Sequence, residues 1–72
     1  MKLSEALRRF RKAYKVTQKQ AALSSGVSER IYQSYEYDKI LPSIAVIARL
    51  ADAYGVSVDY LIGRTDRSEI NR

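Results

Sequence analysis

Four polar side chains, Glu29, Arg30, Gln33 and Ser34, are the residues of this sequence best spaced to do chemistry together. A carboxylate, a guanidinium, an amide and a hydroxyl can all exchange hydrogen bonds with base edges in a major groove. On a helix turning about 100° per residue these four fall on one side, while Ile31, Tyr32 and Tyr35 fall on the other. The apolar side is expected inside and the polar quartet outside. Any amphipathic surface helix shows such a face, so the residues that hold this helix decide between recognition and plain solvation.

A holder precedes it. Thr17 is placed to cap a helix beginning at Gln18, and Gln20, three positions on, can complete a capping box. That helix is expected to run to Gly26, the residue best able to take the left-handed conformation that ends a helix. Val27 and Ser28 then supply an apolar residue and a second N-cap, and another helix begins at Glu29. Too few residues separate Ser25 from Ser28 for anything but a sharp change of direction, the geometry of a helix-turn-helix. Ala21, Ala22 and Ser25 are expected on the inward side of the first motif helix, where small side chains let the second approach closely. Leu23 falls near the exposed side, as scattered surface apolar residues do.

Other chemistry lacks its parts. The 72 residues include no cysteine and no histidine, which excludes disulfides, the usual zinc sites and the commonest nucleophile and base types. Asp52 and Asp59 follow helix-surface and capping logic, and no glycine-rich phosphate cradle, repeat or low-complexity segment occurs. No enzyme activity, metal or cofactor is expected. The N-terminus lacks a signal peptide's apolar core of roughly 7 to 15 residues, and the longest apolar run, Ile44 to Ala48, is too short to span a membrane. A single cytoplasmic domain is expected, small enough that a partner subunit would help its stability.

The net charge of +5 is unevenly spread. Residues 1–20 hold seven basic side chains against one acid, and the remaining fifty-two hold six against seven. Basicity therefore belongs to the first helix and the entry into the motif, which points to an anionic partner. In that helix, starting at Ser4 or a neighbour, Leu3, Leu7, Phe10 and Tyr14 form one buried stripe. Arg8, Arg9 and Lys12 lie off the stripe and read, as a cluster, as phosphate contacts; Lys19 can meet a phosphate at the start of the first motif helix. Arg11, at the stripe's edge, needs a partner.

Beyond the motif, residues Tyr37 to Leu41 lose the helical period, and Pro42 and Ser43 mark a new start with Ser43 as N-cap. In this loop Tyr37 and Lys39 can meet phosphates through a phenol, an ammonium and backbone N–H groups. Ile44, Ile47, Leu50, Ala51 and Tyr54 are expected as the buried stripe of a fourth helix ended by Gly55. Ser57 caps a last short helix, Val58 to Ile62, which Gly63 stops. Residues 64–72 form a polar tail expected to fray.

Taken in order, T-Q-x-x-x-A-x-x-x-G-V-S-x-x-x-x-x-x-x-E from Thr17 to Glu36, P-S at Pro42 and Ser43, and V-S-V-D-Y-L-I-G from Val56 to Gly63 resemble the Cro/Xre family. Its members are DNA-binding domains of phage and bacterial repressors. The likeness covers about Leu3 to Gly63, and several motifs in fixed order are far more specific than a lone turn signature. It implies an all-α, compact five-helix, lambda-repressor-like fold, with residues 1–63 as the DNA-binding domain. Matched by position, Gln18 would fasten to the DNA backbone and often to a base, and Glu29, Arg30 and Ser34 would read bases. Glu36 would pair with Arg11, whose fork can also approach a phosphate.

Some positions depart from the family pattern. Tyr32 stands where Ile is usual, Gln33 where Ser is frequent, Ala21 where Leu is usual, and Asp38 where Gly is frequent, although Asp tolerates a left-handed conformation better than most residues. The expected function is that of a homodimeric transcriptional regulator, a repressor binding double-stranded DNA at a palindromic operator, with self-contacts at Val58 and Ile62. An antitoxin-like, protein-binding role on the same fold is the alternative, and an unidentified protein modulator stays open.

Overall fold

The computed structural model describes residues 1–69, so the last three residues of the expected tail lie outside the described residues. Five helices follow in order: α1 (Leu3–Tyr14), α2 (Gln18–Ser25), α3 (Glu29–Glu36), α4 (Ile44–Tyr54) and α5 (Val58–Leu61). No strand occurs among the described residues. The caps act locally, as their sequence predicts. Thr17 Oγ1 accepts the Gln20 N–H at 3.0 Å while Gln20 Oε1 accepts the Thr17 N–H at 2.9 Å. Ser28, Ser43 and Ser57 each accept an N–H from the first turn of the helix they precede. α1 begins at Leu3 with Lys2 as N-cap, its N–H donating to the Glu5 carboxylate at 2.9 Å.

Helix ends carry the strain. Gly26 takes φ 79°, which the turn requires, and the Arg49 guanidinium reaches in so that a Cβ there would stand 3.2 Å from its Nη1. α1 has no glycine to end on and closes at Lys15 with φ 56°, a conformation that disfavours a side chain. Asp38, at the family's glycine position, has φ 61°.

Leu7, Phe10, Tyr32, Leu50 and Leu61 are fully buried and join Val16, Tyr35, Val46, Ile47, Val56 and Tyr60 in one core. Burying each of the larger apolar chains contributes about 1.5 to 3 kcal/mol. Phe10 is the hub of an aromatic cluster, meeting Tyr54 edge-on at 5.1 Å and Tyr14 at 5.4 Å between centroids. α1 packs on α3 and α5, and α2 packs on α3 and α4, which leaves α3 gripped from two sides with its polar face free.

Three apolar residues expected inside are not. Ile44 is 88% exposed and Ile31 40%, while Val46, not part of the expected stripe, is buried. Tyr14 also stays partly exposed, although its ring meets Tyr60 of α5 edge-on at 6.4 Å. Phase locates an apolar arc but not which edge of it meets a neighbour. The tail differs as well. Through Ser68 it folds back instead of fraying: the Ser57 N–H donates to Ser68 O at 2.8 Å, and Arg9 Nη2 donates to Thr65 O at 3.0 Å.

Candidate nucleic-acid interface

The outward face of α3 is built from beneath. Glu36, its last residue, is wholly buried, and Arg11 from α1 grips it with two parallel bonds, Nε to Oε2 at 2.5 Å and Nη2 to Oε1 at 2.8 Å. Such a fork fixes direction as well as energy. Arg11 Nη1 also donates to Val16 O at 3.2 Å, tying the α1–α2 connection into the same group. Gln18 joins from α2, its Nε2 donating to Glu36 Oε1 at 3.2 Å. Gln33 then donates from its own Nε2 to Gln18 Oε1 at 3.2 Å. One carboxylate thus holds three helices in register.

Burial by itself would raise the Glu36 carboxyl, but hydrogen bonds from Arg11, with the nearby Tyr32 phenol and the Gln18 amide, outweigh it and hold the group below the usual carboxylate range. The charge is therefore present at neutral pH. Burial first, then the Glu36 carboxylate, push the Tyr32 phenol above its usual range, so it stays protonated. Its hydroxyl is buried without a partner at hydrogen-bond geometry. Tyr32 fills space where the family usually has Ile and sets its hydroxyl near the Glu36 carboxylate.

The residues expected to touch DNA separate into three groups. Glu29, Arg30, Lys19, Tyr37 and Lys39 are exposed, and among the described residues no ion pair holds Arg30, so its guanidinium faces outward. Gln33 and Ser34 are half-buried on the same face, with Ser34 Oγ donating to Arg30 O at 3.2 Å. Arg11 and Gln18 are largely committed to Glu36. Gln18 keeps one N–H, which suits a phosphate; the Arg11 fork is mostly spent. The backbone N–H groups of the α3–α4 loop turn inward, those of Tyr37 and Lys39 to Gln33 O at 2.9 Å and Ser34 O at 3.0 Å. These bonds spend the backbone donors that were expected to face phosphates, while the Tyr37 and Lys39 side chains stay exposed.

Two of the three basic residues in the α1 cluster expected at phosphates, Arg8 and Arg9, have other partners. Arg8 Nη1 donates to Glu36 O, at the C-terminal end of α3 where cations are favoured. Arg9 lies over the Tyr60 ring at 4.2 Å and donates to Tyr60 O, Thr65 O and the Asp66 carboxylate. Lys12 is exposed. Nothing in the spacing of Arg8 and Arg9 reveals this, since their partners lie 28 and more than 50 residues away. Arg49, which reaches the motif turn at Ser25 O, is missed for the same reason.

Val58 is 45% exposed and Ile62 half-buried. Together with Leu3, Pro42, Ile44, Ile47 and Ala48 they line an apolar groove of about 370 Å³ on the α4–α5 side. No helix among the described residues is long and apolar enough to cross a membrane.

With this geometry in view, the chain can be set beside known proteins. It is 39% identical over 71 residues to the transcriptional repressor RstR of the cryptic phage CTXphi in Vibrio cholerae, covering 96% of this chain and 63% of that protein. It is 40% identical over 62 residues to the uncharacterized helix-turn-helix-type transcriptional regulator YobD of Bacillus subtilis, covering 86% and 55%. The chain thus spans little more than half the length of the curated relatives it matches. Among solved structures, the DNA-binding domain of the P22 C2 repressor superposes with a TM-score of 0.81 at 28% identity, over 99% of this chain and 92% of that one. The helix-turn-helix family model matches residues 7–61, and with the repressor relatives it shows that the chain belongs to the Cro/Xre-type helix-turn-helix family.

Proposed function

We propose that the chain is a sequence-specific, double-stranded DNA-binding transcriptional regulator, a cytoplasmic repressor that occupies a palindromic operator as a homodimer. The observation that carries this reading is the outward face of α3, where Glu29 and Arg30 are exposed while a buried carboxylate fixes the helix beneath them. A rigid helix with free polar ends is what base reading requires. In this reading Arg30 and Glu29 enter the groove first, Ser34 follows, and Gln18, Lys19, Tyr37 and Lys39 meet the phosphates. Arg11 acts mainly by holding Glu36.

Dimeric readers of this kind place two recognition helices about 34 Å apart. Val58 and Ile62 at the apolar groove suit the two-fold contact, away from the reading face. Selection of binding sites from random duplexes, with sedimentation of the protein free and on the selected DNA, tests the proposal. The expected result is a two-fold symmetric consensus bound by two chains. Binding without sequence preference, or by one chain per site, would overturn it.

A second reading, a protein-binding module of antitoxin type, draws on Ile44, which lines the same groove and is 88% exposed, and on Leu41, 77% exposed. Leu41→Ser, outside the groove lining, distinguishes the two: under the first reading operator affinity and base preference stay unchanged, and under the second the protein partner is lost.

A further inference from the structure

Hydrogen bonds have polarity, and one group in the site behind α3 can have only one. The Glu36 carboxylate, ionised and fully buried, accepts and never donates. Gln18 therefore turns its amide nitrogen toward Glu36. Its Oε1 is left to face Gln33, and Gln33 must answer with its own nitrogen. Amide orientation is ordinarily a matter of choice between two similar ends. Here the acceptor at the bottom of the row settles both.

Gln33 has spent one of its two N–H donors on Gln18. The described hydrogen bonds leave its Oε1 and its second N–H unused on the outward side of α3, next to Arg30 and Ser34. An acceptor beside a donor is the pattern that adenine complements in the major groove, through its N6 amino group and N7. Guanine offers two acceptors there, and thymine an acceptor and a methyl group.

We propose that Gln33 is a specificity-determining residue that selects adenine, and that Glu36, acting through Gln18 as a positioning residue, sets which end of the Gln33 amide meets the base. This rests on the DNA-binding reading above. Glu36 in this way does more than anchor the helix: it passes a direction through two amides to the surface. Gln18 keeps one N–H for a phosphate, so its two roles do not compete.

The test is a complete base-preference profile for the parent chain, Gln33→Ala and Gln18→Met, with melting temperatures alongside. The parent is expected to prefer adenine at one base pair of each half-site by about 5- to 150-fold, the range of one good bidentate contact. Gln33→Ala should abolish that preference. Gln18→Met, close in size and unable to hydrogen-bond in the same way, should lower affinity for all duplexes and also relax preference at that same base pair. If Gln18→Met weakens every sequence equally and keeps the preference, the relay is wrong. If Gln33→Ala alters no position, or the preferred base there is guanine or thymine, the assignment of Gln33 is wrong. A parent chain that selects no sequence at all would instead overturn the DNA-binding reading itself.

Discussion

Arg11→Met keeps the length of the side chain and removes the fork that holds Glu36. The carboxylate left behind is wholly buried, with the Gln18 amide as its described side-chain donor. Removing one member of a buried ion pair costs about 3 to 5 kcal/mol, because the other charge stays uncompensated. An independent bound agrees. Glu36 can escape by binding a proton, which at pH 7 costs about 1.4 kcal/mol per unit above a usual pKa near 4.3, or about 3.7 kcal/mol. A domain of 72 residues has a stability of roughly 4 to 11 kcal/mol, so the loss removes about a quarter of it or more and lowers the melting temperature by at least about 12 °C.

The pH dependence is the sharper mark. In the parent chain the folded Glu36 pKa lies below its unfolded value, so its contribution is present above about pH 4.3 and is lost as pH falls below that. In Arg11→Met the folded pKa is raised, and the deficit should shrink to about 1 kcal/mol at pH 5, where protonation costs little. Urea unfolding followed by far-UV circular dichroism at the two pH values measures both. Adding Glu36→Leu to Arg11→Met should recover part of the loss, since no orphan charge remains. A deficit under about 0.5 kcal/mol at pH 7, or one that does not shrink at pH 5, refutes the reasoning.

Reading and holding should fail differently. Arg30→Ala is expected to cost about 1 to 3 kcal/mol on the cognate site and relax one base pair, whereas Lys19→Ala should weaken all duplexes alike and reduce the salt slope by about one; equal losses on every sequence for Arg30→Ala would make it a phosphate clamp. Tyr32→Phe removes a buried hydroxyl without a partner and should change stability by less than about 1 kcal/mol at pH 7. Because the folded phenol pKa is raised, Tyr32 stabilises the fold below about pH 10 and that contribution is lost as pH rises further, so the variant should unfold less readily in alkali. A loss above about 2 kcal/mol would show a hydrogen bond to Glu36. Lys15→Gly, at φ 56°, should stabilise by up to about 1 kcal/mol in thermal unfolding, and a fall in melting temperature would count against strain at the end of α1.

What could be read in advance depended on the range of each signal. The Thr17–Gln20 box, Gly26, and the serine caps at 28, 43 and 57 act within three or four residues, and they set four helix starts and the motif turn. The exposure of Arg30 and Glu29 follows from phase. Phase failed at Ile31 and Ile44, where two edges of an apolar arc are equivalent until a neighbour covers one. Arg11 with Glu36 was legible through the family pattern. The Gln18–Gln33 bond was not, because it needs the distance between two helices and a departure from that pattern. Arg8 and Arg9 looked like surface charge, and only the assembled fold shows that they reach Glu36 O and the turn after α5.

The contact between α1 and α5 also says something about time. A Cβ at Gly63 would stand 3.1 Å from Met1 O and 3.4 Å from the Ala6 side chain, so the two ends of the domain are neighbours. During synthesis at about 5 to 20 residues per second, the first helix waits roughly 3 to 12 seconds for the residues that cover it. Until Leu61 and Gly63 leave the ribosome, Leu7 and Phe10 have no complete core to enter. The groups that grip the reading helix, on α1 and α2, are made before it, whereas the cover over Leu7 and Phe10 is completed only when the last turn of the domain arrives.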